Sequence, residues 1–139
     1  MAMMPKRVKR RKVHRGRVRG NATRGNFVHI GEHGLMAIEP GWVTARQIEA
    51  GRVAGNRALA GSGKIVIRIF PDKPVTSTPA ETRMGKGKGE PEFWASVVRP
   101  GQVLYEIQGA PEETARLACN RISHKLGLAT RMVGRRPTV

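Results

Sequence analysis

Lys64-Ile65-Val66-Ile67-Arg68-Ile69-Phe70-Pro71-Asp72-Lys73-Pro74 is the stretch from which the fold can be read. Ile65, Ile67 and Ile69 alternate with Lys64, Val66, Arg68 and Phe70, so a period of two places three isoleucines on one face of a strand. Pro71 and Pro74 fix φ and withhold a backbone donor. The strand is therefore expected to end at Phe70 and to open into a long loop over 71–91. Upstream, Thr44 is followed three residues later by Gln47, a capping box that starts a helix running to about Leu59, before Gly61-Ser62-Gly63. At 100° per residue, Ala45, Ile48, Gly51, Gly55 and Leu59 share one side, which is expected to pack inward, while Arg46, Ala50, Val53 and Arg57 share the other.

Working outward, 27–30 and 35–39 read as a hairpin, with Gly31 and Gly34 supplying the turn. Residues 93–99 and 102–107, joined through Pro100-Gly101, read as a second hairpin. Pro111 as a first-turn residue, with Glu112 and Glu113 near the positive helix end, opens a second helix that Gly127 should close. Its stripe of Ala115, Ala118, Cys119, Ile122 and Leu126 is narrow and apolar. A last strand is expected over 128–133. The fold class is α+β, a mixed, mainly antiparallel sheet with two helices. Organisation along the chain is a basic arm over 1–25, a single α+β domain over 26–134 that carries the loop 71–91, and a basic tail over 135–139.

Charge narrows the function classes. The 139 residues hold 26 Lys and Arg against 10 Asp and Glu, a formal charge of +16 that is self-repelling without an anionic partner. Nucleic acid leads. A membrane surface would need a basic helix with an apolar face, and the basic runs have none. No apolar export segment follows the basic N-terminus. The arm contains ten basic residues and no acidic one. Lys6, Arg7, Lys9, Arg10, Arg11, Lys12, His14, Arg15, Arg17, Arg19 and Arg24 are its candidate RNA contacts, with a solvated tail as the alternative. Arg46 and Arg57 are candidates for bidentate phosphate contacts, against an ordinary solvated helix face. In the loop, Lys73, Arg83, Met84, Gly85, Lys86, Gly87, Lys88 and Gly89 combine compact positive charges with a backbone free to take positive φ, which suits phosphate oxygens.

Chemistry of other kinds finds no constellation. His14, His29, His33 and His124 are scattered, with no ligand spacing, so neither a metal nor another cofactor is implied. Gly61-Ser62-Gly63-Lys64 lacks the hydroxyl residue of a phosphate-binding loop, because Ile65 follows. The lone Cys119 excludes an intramolecular disulfide and reads as a small core residue rather than a reactive thiol. With six aromatic residues, and with Phe70, Trp94 and Tyr105 in strands, single-strand stacking is poorly supported, which leaves shape and backbone recognition of folded RNA. A free RNA chaperone and an enzyme acting on RNA are the rival classes.

Phe70-Pro71-Asp72-Lys73-Pro74 together with Glu81-Thr82-Arg83-Met84-Gly85-Lys86-Gly87-Lys88-Gly89 resembles the family of bacterial large-subunit ribosomal protein sixteen. Met4-Pro5-Lys6-Arg7, Lys9, His14-Arg15-Gly16, Thr44-Ala45-Arg46-Gln47-Ile48-Glu49, Pro100-Gly101 and Val103-Leu104 extend the resemblance over nearly the whole chain. It departs from the usual pattern at Ala58-Leu59-Ala60-Gly61-Ser62-Gly63, which replaces a more basic stretch. The resemblance implies a hammerhead-like α/β domain and a non-catalytic, cytoplasmic component of the large subunit. Implied partners are large-subunit ribosomal RNA, aminoacyl-site tRNA with peptidyl-site tRNA as a secondary candidate, and neighbouring large-subunit proteins, with no membrane. It further implies a place beside the peptidyl-transferase region and a role in late subunit assembly.

Overall fold

The computed structural model describes residues 4–9, 12–77, 85, 87–88 and 91–135. In chain order the elements are β1 (His33–Ala37), β2 (Gly41–Thr44), α1 (Ala45–Leu59), β3 (Lys64–Ile67), β4 (Lys73–Thr76), β5 (Pro91–Val98), β6 (Val103–Gln108), α2 (Glu112–Ser123) and β7 (Thr130–Gly134). The class is α+β, as expected. The strands pair antiparallel, in keeping with the expected mainly antiparallel sheet, but they form two sheets instead of one, ordered β3-β6-β1-β7 and β2-β5-β4.

Helix α1 forms where its capping box predicts. The Gln47 amide donates to Thr44 Oγ1 at 3.2 Å, and the Thr44 amide donates to Gln47 Oε1 at 2.9 Å, so two donors without helical partners are satisfied reciprocally. Its far end closes on Ala60, whose φ of 49° places a residue with a Cβ in the left-handed region while its amide bonds Asn56 O at 3.1 Å. Ile48, Gly51, Gly55 and Leu59 are buried, whereas Ala45 is only partly so. The two glycines set how near the helix can come to its neighbours. A Cβ on Gly51 would stand 2.6 Å from Tyr105 Oη, and one on Gly55 would run into Ile65 and Ile122.

Tyr105 is fully buried on β6, and its hydroxyl donates to Ile48 O at 2.7 Å. Burial pushes the phenol's pKa far above its ordinary value, so the group stays a neutral donor. Because that hydrogen bond pins the hydroxyl, Gly51→Ala cannot be absorbed by a small side-chain rotation. A helix-propensity gain of up to about 1 kcal/mol is outweighed by overpacking, and a net loss of about 1–2 kcal/mol is expected in urea unfolding. An unchanged or higher midpoint would show that the helix can move away freely.

The inner stripe of α2 is as read, with Ala115, Ala118, Cys119, Ile122 and Leu126 all in the core cluster. Burial raises the Cys119 thiol to about 11, which leaves it a packing residue. Pro111 serves as N-cap instead of first-turn residue, and the helix ends at Ser123, before the expected stop at Gly127. His124 remains αR, and Lys125 N bonds Ile122 O at 2.9 Å, which tightens the last turn.

Three expectations about strands are corrected. Residues 27–30 are not a strand, because their donors go to a side chain. The amides of His29, Ile30 and Gly31 point at Glu106 Oε1, at 2.5, 2.9 and 3.4 Å. Residues 93–107 are not a hairpin either: β5 pairs with β2 and β4, while β6 pairs with β1 and β3. At the turn between them, Gly101 N donates to Ala37 O at 2.7 Å and Ala37 N to Gln102 O at 2.9 Å, so the end of β1 draws the chain into the other sheet. Finally, the segment expected as loop from residue 71 contains β4, with Pro71, Pro74, Val75 and Thr76 buried. Pro74 is tolerated because β4 lies at the sheet's edge. The four-residue β2 was not expected at all.

Candidate nucleic-acid interface

The basic arm lies against the three-stranded sheet. In that sheet Trp42 stands opposite Val97, and Ala95 stands opposite both Thr44 and Lys73, so alternation places these side chains on one face. Val43 and Val98 belong to the other face, which joins the core. On the outer face Lys73 Nζ sits 4.7 Å from the centre of the Trp42 ring and also donates to Arg15 O.

Further bonds continue this seam in both directions. Arg15 Nη2 donates to Thr76 O at 2.8 Å, Lys12 Nζ to Lys88 O at 2.9 Å, and Lys88 Nζ to Val13 O at 2.8 Å. Toward the domain, Arg99 Nε donates to Arg19 O at 3.1 Å, Ala22 N to Pro100 O at 2.9 Å and Val103 N to Gly25 O at 2.8 Å. A segment that could not fold alone thus takes its course from long-range partners. The side-chain donors of Lys12, Arg15, Lys73, Lys88 and Arg99 in these bonds are accepted by backbone carbonyls, which orient the cations without neutralising them.

The seam joins the arm to the base of the glycine and lysine loop. Gly85 and Gly87 have φ of +102° and +84°, and neither would meet another atom within 4 Å on gaining a Cβ. Open backbone of this kind admits close approach by a ligand. Among the described carboxylates, Glu49 is held by Arg52, Glu112 by Arg116 at 3.0 Å and Glu32 by Gly109 N at 2.9 Å, while Asp72 adjoins Lys73 and Glu92 lines a cleft with Arg46. Glu106 is inside, with Arg68 Nη1 at 2.5 Å from its Oε2. The sequence has no acidic residue before Glu32.

Lys12, Arg15, Lys73, Gly85, Gly87 and Lys88 are thus gathered into one region among the expected contacts. Arg19 and Arg24 lie further along the arm, and Arg24 helps line a cleft of about 320 Å³ with Asn21, Thr23, Arg99 and Gln102. Arg46 and Arg57 are exposed on α1. Arg46 lines a cleft of about 460 Å³ with Met4, Phe93 and Trp94, whereas Arg57 sits in the last helical turn, where a cation complements the helix dipole. Lys6, Arg7, Lys9, His14 and Arg17 are exposed. Arg10, Arg11, Arg83, Met84, Lys86 and Gly89 lie outside the described residues. Sequence reasoning missed Trp42 and Arg99. Trp42 lies in a strand too short to show alternation, and Arg99 was hidden in the supposed hairpin.

Among the described residues no group of three His, Cys, Asp or Glu is placed to hold a metal ion, and no helix is long and apolar enough to cross a membrane. The structure is a small α+β domain with a strongly cationic arm held beside an open glycine backbone, the charge pattern of a protein suited to a polyanion. The model of the ribosomal protein L16p/L10e family matches residues 5–133. Over 136 residues, 98% of this chain and 99% of the relative, the chain is 57% identical to the large ribosomal subunit protein uL16 of Rhodopirellula baltica. It belongs to the ribosomal protein L16p/L10e family, structural constituents of the large ribosomal subunit, a cytoplasmic particle in bacteria, and is not an enzyme.

Proposed function

We propose that this chain binds large-subunit ribosomal RNA through its arm and the outer face of the three-stranded sheet, and that its glycine and lysine loop helps organise the aminoacyl-tRNA site near the peptidyl-transferase region. The reciprocal bonds between Lys12, Val13 and Lys88 carry the reading, because they hold arm and loop as one cationic unit. RNA helices gripped by the arm are thereby set at a fixed distance from the loop. The loop reaches tRNA in the aminoacyl site, with the peptidyl-site tRNA within the same reach. Neighbouring large-subunit proteins cover other surfaces. Because the arm needs RNA to offset its charge, the protein docks late, when its RNA helices are already formed. Its action is electrostatic clamping, and the chemistry of peptide transfer is left to RNA.

Ribosomes carrying Lys86→Ala with Lys88→Ala test this. Quantitative mass spectrometry of salt-washed particles should still find about one copy per large subunit, because the arm's charge is untouched. Aminoacyl-tRNA accommodation should slow by about 5- to 10-fold, as expected for the loss of one or two charge-assisted contacts. Wild-type accommodation by fully occupied particles would remove the tRNA contact, and release of the unmodified protein into the top of the gradient would remove the structural role.

A further inference from the structure

Beside the seam, Gly16, Arg17, Val18, Pro40, Gly41 and Trp42 line a cleft of about 310 Å³. We propose that it receives one unpaired base of the RNA, held against Trp42, an inference that rests on the RNA-binding reading above. Four observations converge on such an occupant. The first is size: the volume lies at the lower end of pockets that take small organic molecules, enough to seat a single base. The second is the floor. Trp42 is half-buried at an edge of the three-stranded sheet, fixed by its strand register and by the Lys73 ammonium at 4.7 Å from its ring. Trp42 is among the residues that line the cleft and Lys73 is not. An aromatic surface held in this way is a stacking platform with little conformational entropy left to lose.

The third observation is charge. Arg17 is exposed and lines the cleft, the Lys73 ammonium lies at the Trp42 ring, and no carboxylate is among the lining residues. A base is tethered to a phosphate on either side, and these cations supply charge for them. The fourth is chain path. Gly16 has φ of +62° with nothing within 4 Å of where a Cβ would be, so the arm turns there and leaves one wall of the cleft without a side chain. Recognition by stacking, with backbone charge on the flanks, selects an unpaired nucleotide over a paired one and tolerates any base.

The full-length chain is titrated with two RNA hairpins of equal length, one fully paired and one bearing a single unpaired adenosine, with intrinsic tryptophan fluorescence and affinity both recorded. The bulged hairpin should bind at least about 5-fold more tightly and quench fluorescence. Trp42→Ala should abolish that preference, a loss of about 5- to 150-fold on the bulged hairpin beyond whatever it costs on the paired one. Trp42→Phe should keep most of the preference. Replacing the unpaired adenosine by an abasic nucleotide removes the base without touching the protein, and it should remove the preference even if Trp42→Ala disturbs folding. Equal affinity for the bulged and abasic hairpins, or an equal loss on both hairpins in a folded Trp42→Ala, would overturn the base pocket and leave the RNA-binding reading standing. Failure to bind any hairpin at low salt would overturn both.

Discussion

Replacing Glu106 by alanine should cost the fold about 3 kcal/mol, a large share of the roughly 5–15 kcal/mol by which domains are stable. The carboxylate has no exposed surface, faces three successive amides from 29–31, and is met on its other oxygen by Arg68. Alanine would leave those donors inside with nothing to accept from them. Glu106→Gln preserves the shape and an acceptor oxygen but not the charge, and should cost about half as much. Burial alone would raise this carboxyl, but the Arg68 guanidinium and the amides of His29 and Ile30 outweigh it and hold the pKa below the ordinary value. A depressed folded-state pKa means the contribution is complete above the ordinary carboxylate range and is lost as pH falls through the folded value. The stability gap between wild type and Glu106→Gln should therefore narrow toward acid. Urea unfolding at pH 7 and pH 4 checks both statements. A gap under about 0.5 kcal/mol at neutral pH would show that the buried pair only breaks even.

Affinity for ribosomal RNA should collapse with salt. If about ten phosphates are neutralised, log affinity falls with log salt at a slope between about −7 and −9, which from 50 to 200 mM is about 10⁴- to 10⁵-fold. Arm cations should carry much of that slope. Lys6, Arg7 and Lys9 are exposed, and changing all three to alanine should flatten it by about 3. Filter binding across a salt series gives both numbers. A slope near zero would exclude phosphate as the main target, and an unchanged slope in the triple variant would remove the arm's tip from the interface.

Elements governed by near neighbours were legible in the sequence. Thr44 and Gln47 announce α1 because a capping box is a contact across three residues, and the stripe from Ala115 to Leu126 announces the buried side of α2. Pairing was not legible, because strand partners are chosen at long range. Pro100-Gly101 is as good a turn for a chain that changes sheets as for a hairpin, and only the bonds with Ala37 decide between them. Residues 27–30 have strand composition, but a glutamate more than seventy positions away takes their amides. Pro74 argues against an interior strand, yet not against an edge. Within the interface, composition identified cations and glycines, while the carbonyls they grip depend on the fold. Trp42 went unnoticed because its role comes from Gly16 and Arg17 lying beside it, a proximity that no local pattern encodes.

Strand β4 has a consequence for the life of the chain before it meets RNA. A free sheet edge invites a second copy to add a strand, the usual first step toward aggregation. Here Pro74 withholds a donor from that edge, and Arg15 occupies the carbonyl of Thr76. The same residues that prepare the surface for its polyanion deny it to another copy of the chain, and the net charge of +16 adds repulsion between copies. At this edge, a newly made molecule is guarded against the addition of a strand from a second copy.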